Sequence, residues 1–80
     1  MTNIETSVSQ CFANVFPDIP AAELPGLSAA SLARWDSITH VTLLSIISEE
    51  FSLDIAPDDY AELTSYLLIL DYVKSQTGNA

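Results

Sequence analysis

Along most of this 80-residue chain, apolar residues recur at helical rather than strand spacing. Ile4, Val8, Cys11, Phe12 and Val15 recur at helical spacing until Pro17, the repeat that gathers side chains on one helical face. Thr2 and Glu5 stand three apart at its start, the spacing of a capping box. A first helix is therefore predicted up to Pro17. From Pro17 to Trp35, three prolines (Pro17, Pro20, Pro25) and Gly26 interrupt any period, which predicts a long loop with a helical turn around Ser28 to Leu32. Ile19, Leu24, Leu27 and Leu32 are its apolar anchors, and loops this long inside small domains tend either to carry function or to cover a core.

Asp36 then stands where an N-cap belongs, and Ser37 to Phe51 contains neither Gly nor Pro. Leu43, Ile47 and Phe51 form one stripe with Leu44 beside it, so a second helix is predicted over that whole stretch. Ser52-Leu53-Asp54-Ile55 reads as a connector, and Pro57 suits the first turn of a short third helix through Glu62. Thr64 is placed to cap a fourth helix, in which Tyr66, Ile69, Leu70 and Val73 follow the i, i+3, i+4, i+7 pattern. Leu67 and Leu68 lie beside that stripe. A wider core face is the simpler reading of them, and a surface for a partner or a bound apolar chain the other. No segment alternates like a strand, so the chain is expected to be one all-α domain, a small bundle of four helices with a long connection between the first two.

Charge narrows the function. Eleven acidic residues against two basic ones give a net charge of −9, which removes the phosphate-neutralising contacts that nucleic-acid binding requires. The same field repels anionic membrane surfaces and favours a basic patch on a protein partner. Eight of the acidic residues fall between Asp36 and Asp71 with no Lys or Arg among them, so the field is concentrated in the middle and second half. The single cysteine, Cys11, can form no internal disulfide, and the longest apolar run, Tyr66 to Leu70, is too short to cross a bilayer. The start of the chain lacks the pattern of a signal peptide. A cytoplasmic protein without membrane insertion, acting as a monomer, is the expectation.

The stretch richest in chemistry is Leu32-Ala33-Arg34-Trp35-Asp36-Ser37-Ile38, where a hydroxyl stands at the exit of a loop and the start of a helix. First-turn N–H groups and the positive end of the helix favour an anionic group attached to that oxygen. Asp-Ser pairs are also common as plain caps, so these residues alone leave both readings open.

Asp36-Ser37-Ile38 resembles the Asp-Ser-Leu attachment motif of the acyl carrier protein family. The similarity continues without a gap through Glu49-Glu50-Phe51, Ile55, Leu63-Thr64 and Asp71-Tyr72-Val73, and covers the first helix more loosely. The resemblance implies the acyl-carrier fold. It also implies that a phosphopantetheinyl transferase, using magnesium and coenzyme A, joins a 4′-phosphopantetheine arm to Ser37. Asp36 would help place the magnesium during transfer as well as capping the helix. Acyl or related groups would then ride as thioesters on the arm, and the domain itself would catalyse nothing. Its partners would be acyl-activating, acyltransferase or synthase enzymes with basic docking surfaces.

In that family the second helix is a docking face. Ile38 and Val41 fall opposite the Leu43, Ile47, Phe51 stripe, either as a contact surface or as residues packed under the long loop. Glu49 and Glu50 lie further along. Thr39, Thr42 and Ser48 occupy positions commonly acidic in fatty-acid-synthase carriers, and with Trp35 and His40 they look more like free-standing carriers of polyketide, peptide or surface-polymer pathways. The competing reading is a helical interaction adaptor that never carries an arm. A serine–base pair of Ser37 with His40, three residues on, finds no nucleophile elbow and no orienting acid, and a lone histidine beside a core stripe is usually structural. Asp58, Asp59 and Glu62 lack the glycine and closing glutamate of a calcium loop and read as a solvated acidic face with weak affinity for divalent cations; no metal site is expected.

Overall fold

The structure is a computed structural model and describes residues 4–77. Four α-helices, α1 (Ile4–Val15), α2 (Ser37–Phe51), α3 (Pro57–Tyr60) and α4 (Tyr66–Gln76), are joined by a 3-10 helix at Ala21–Gly26 in the connection between α1 and α2. No strand is present among the described residues, and one isolated antiparallel bridge pairs Ser28 with Ser65. The architecture is all-α. The expected Thr2–Glu5 capping box involves Thr2, which lies outside the described residues.

Helix α1 is the hub because its stripe meets three neighbours at once. Val8, Cys11 and Phe12 are buried, and α1 packs against α2, α4 and the 3-10 helix. Phe12, fully excluded from solvent, sets its ring edge-on to Trp35 and Tyr66, with centroids 5.6 and 5.0 Å away. Leu43, Leu44 and Ile47 close the core from α2, and Ile69, Leu70 and Val73 from α4. Burial pushes the Cys11 thiol up to about 11, with the Glu50 charge adding to the shift. It stays protonated and serves as a small core hydrophobe.

Helix α2 spans the predicted residues. It ends in a paired terminal motif: the Ser52 amide donates to the Glu49 carbonyl and the Leu53 amide to the Ser48 carbonyl at 2.8 Å, the two bonds that satisfy orphan carbonyls when the residue past the helix turns left-handed. Ser52 makes that turn at φ 54°, a conformation costly for a residue with a Cβ. Ser52→Gly is therefore expected to stabilise the fold by about 0.5–1 kcal/mol. Urea unfolding checks this, and an unchanged or lower midpoint would mean that the serine side chain supplies more than the turn costs.

Three local expectations are corrected. The long connection is less irregular than expected: the turn at Ser28 to Leu32 forms, with the Leu32 amide on the Ser28 carbonyl at 3.0 Å, but the connection also contains a 3-10 helix at Ala21–Gly26. Pro25 breaks an α-helix but not this element, because its fixed φ already suits 3-10 geometry, and Leu24 is buried beneath it. The cap of α4 is Ser65, whose Oγ accepts from the Leu68 amide at 3.1 Å. Thr64 instead uses its carbonyl to accept from Ala29. Helix α3 stops at Tyr60, short of Glu62.

A fourth correction concerns α4. Leu67 and Leu68 are exposed, at 55% and 48%, and do not widen the core stripe. The faces supplied by α1 and the 3-10 helix cover Tyr66, Ile69, Leu70 and Val73 and reach no further. The acidic face is also less uniform than its sequence suggests. Asp58 and Glu62 are exposed, whereas half-buried Asp59 accepts the Tyr72 hydroxyl at 3.2 Å.

Candidate functional site

Four segments meet around Ser37. The long connection is tied to the start of α4 by the Ala29 amide on the Thr64 carbonyl (2.9 Å) and the Tyr66 amide on the Leu27 carbonyl (3.0 Å). Those bonds hold the α3–α4 junction against the loop that delivers Trp35. From Trp35 the chain passes directly into α2, with Ser37 exposed as its first residue.

Asp36 caps α2 by accepting the Thr39 amide at 2.9 Å, as its position in the sequence predicts. Hydrogen bonding from the Thr39 amide, then from the Thr39 side chain, holds its carboxyl below the usual carboxylate value. Because the folded value is depressed, the stabilisation is complete above the ordinary aspartate range of about 4 and fades as pH falls through the lower folded value. Asp36→Ala is expected to lower the melting temperature by roughly 4–8 °C, the response of a domain this size to losing a cap. Asp36→Asn, which still accepts the Thr39 amide, should retain most of it. Equal melting of the two variants would assign the stabilisation to charge rather than to the hydrogen bond.

His40 is not paired with Ser37. Its Nδ1 accepts the Trp35 indole N–H at 2.9 Å, and its Nε2 lies 2.6 Å from the Tyr60 carbonyl. An indole nitrogen only donates, so Nδ1 is the unprotonated atom and Nε2 carries the proton that the carbonyl receives. Both ring nitrogens are thereby committed. The ring sits between Trp35 and Tyr60, with centroids 5.9 and 6.2 Å away, so His40 joins the loop exit, α2 and α3.

Ser37 opens onto a groove of about 340 Å³ walled by Ala29, Asp36, Ala61 and Thr64, with Trp35, His40 and Tyr60 along it. On the other flank of α2 a second groove, of about 410 Å³, runs between Phe16, Ile38 and Ile46 under Arg34. Arg34 forms a two-pronged pair with Asp18 at 2.9 and 3.0 Å and lies 5.7 Å over the Phe16 ring. This pair holds the Asp18 carboxyl below its ordinary value, yet both side chains are more than half exposed, so it adds little stability.

Ile38 and Val41 face solvent, at 79% and 49% exposure, and are not covered by the long loop. Glu49 lies about three turns beyond Ile38 on the same outward face. Glu50 is rotated toward α1, near enough for its charge to act on Cys11. The structure thus groups Ile38, Val41 and Glu49 and sets Glu50 on the flank. Thr42, on that outward face, returns its hydroxyl to the Ile38 carbonyl at 3.1 Å.

Tyr60, Thr64 and Ala29 were not singled out as site residues by the sequence. One signal was present: Trp35 precedes the cap and His40 is the fourth helical residue, the two positions that close a staple at a helix start. Here the staple is polar on one side. No helix among the described residues is long and apolar enough to cross a membrane. No model of a known protein family matches the chain, and comparison with curated proteins finds no match.

Proposed function

We propose that the chain is a carrier protein with an acyl-carrier-like bundle, bearing acyl or related thioester intermediates on a 4′-phosphopantetheine arm attached to Ser37. The observation that carries this reading is the placement of Asp36-Ser37-Ile38: an exposed hydroxyl on the first residue of a capped, fifteen-residue helix, flanked by open grooves. The residues fit the group. A phosphodiester on the Ser37 oxygen sits at the positive end of α2, and nothing buries the hydroxyl away from a transferase. The arm supplies the reactive thiol, while the protein keeps the cargo local to each successive enzyme.

On this reading Ile38 and Val41 form the apolar centre of a docking face, and Glu49, with Glu50 at its edge, steers basic surfaces of the transferase and of acyl-activating, acyltransferase or synthase enzymes. The carrier works as a cytoplasmic monomer in a specialised pathway. Incubating the purified chain with coenzyme A, magnesium and a phosphopantetheinyl transferase tests the assignment by intact mass. One added phosphopantetheinyl group is the expected result. An unchanged mass with several transferases would favour the unmodified adaptor, for which the same exposed Ile38 and Val41 would be the contact surface.

A further inference from the structure

The groove beside Ser37 has a closed floor. A hydrocarbon chain folded back from an arm on Ser37 into this groove meets Trp35, His40 and Tyr60, of which Trp35 is itself part of the buried core. Trp35 is 3% exposed and is restrained from three sides. Its N–H is bound to His40 at 2.9 Å, and its ring packs on Phe12 and Phe16 with centroids 5.6 and 6.0 Å away. His40 is fixed in turn to the Tyr60 carbonyl. Moving any member breaks a part-buried chain of hydrogen bonds whose members hold one another in place. Among the described residues no buried side-chain polar atom lacks a partner.

The core behind this floor is filled. Leu43, Leu44, Ile47 and Ile69 are fully excluded from solvent, and interiors packed to that degree accept an inserted chain only by displacing side chains. On the opposite flank, the open Phe16–Ile46 groove is lined in part by Arg34, which is already bound to Asp18. An alkyl chain laid there would stay at the surface. Each methylene left in water forgoes the burial that makes a long-chain thioester tolerable on a carrier.

Resting on the carrier reading, we infer that the cargo of Ser37 is a short acyl group held in solvent at the end of the arm, and that the Trp35–His40–Tyr60 chain bars long hydrocarbon chains from the core.

The test loads the chain with acetyl- or dodecanoyl-phosphopantetheine from the corresponding coenzyme A thioesters. It then compares hydroxylamine cleavage, melting temperature and the emission of Trp35, the only tryptophan. The two thioesters should be cleaved within about twofold of each other, with equal melting and emission, because neither is withdrawn from water. Protection of the dodecanoyl form by about tenfold or more, the factor expected when nine-tenths of the population holds it inside, would overturn the inference, as would a higher melting temperature for that form. Trp35→Leu should open the floor and confer protection on the long chain alone. A second arm needs no transferase: Ser37→Cys alkylated with ethyl or dodecyl groups, buried Cys11 not competing. Equal melting of these two adducts supports the closed floor, and a higher value for the dodecyl adduct refutes it. Failure of enzymatic loading would count against the carrier reading, while the alkylated pair still reports on the floor.

Discussion

Ser37→Ala is expected to fold like the parent chain and to gain no phosphopantetheinyl mass under conditions that modify the parent completely. Folding should be spared because Ser37 is exposed, its hydroxyl is engaged in none of the hydrogen bonds among the described residues, and alanine is a good helix former at a first-turn position. The change in stability should stay within about 0.5 kcal/mol. Modification should be lost altogether because the hydroxyl is the atom that would form the phosphodiester, and no neighbouring residue occupies its place at the start of α2. Ser28, Ser31 and Ser65 provide internal controls. Ser28 and Ser31 bond to each other, and Ser65 caps α4. Intact mass combined with peptide mapping separates the outcomes. Full modification of the alanine variant would move the arm to another serine and remove the attachment role from Ser37, whereas loss of modification together with loss of folding would be visible in circular dichroism.

The second helix could be read from sequence because its start and its interior signal independently. Asp36 is a short acceptor placed before a run free of Gly and Pro, and the structure puts the helix at Ser37–Phe51. The stop after Phe51 is also where the sequence places it, although Ser52 takes a left-handed turn usually given to glycine. The 3-10 helix was hidden because Pro25 and Gly26 are punctuation for an α-helix, whereas a 3-10 turn accommodates proline. Periodicity found the core stripe of α4 but not its width. How far a helix is buried around its circumference depends on the partners that reach it, and a single sequence does not carry that information for Leu67 and Leu68.

The site was readable only in part. The motif residues could be named, and the cap on α2 followed from Asp36 alone. The walls of the groove could not, because Ala29, Tyr60 and Thr64 reach Ser37 through backbone bonds between the long loop and the α3–α4 junction. Such bonds leave no side-chain signature. Trp35 and His40 were conspicuous separately, as the only tryptophan and the only histidine, and their relation crosses a helix cap where neither helical nor strand spacing applies. His40 is structural in a specific sense: it accepts from the loop and donates to α3, so three segments converge on one ring.

Phe12→Ala is expected to have the largest effect on stability. The ring is fully buried at the meeting point of α1, α4 and the loop exit, edge-on to both Tyr66 and Trp35. Truncating a buried phenylalanine costs about 3–5 kcal/mol through lost transfer free energy and the cavity left behind, against a total for a small domain of about 5–15 kcal/mol. With the slope unchanged, the urea midpoint should fall in proportion, by at least about a fifth of its parent value and by most of it if the parent lies at the low end of that range. Phe12→Leu, which restores much of the volume, should recover more than half of the loss. The same substitution reaches the site. Without the Phe12 ring, Trp35 loses its edge-on partner and the bond to His40 is less firmly held, so the emission of Trp35 should shift toward that of a solvated indole before global unfolding. A Phe12→Ala variant that loses less than about 1 kcal/mol, the value typical of an unremarkable position, would show that α1 and Trp35 are held by something other than this aromatic contact.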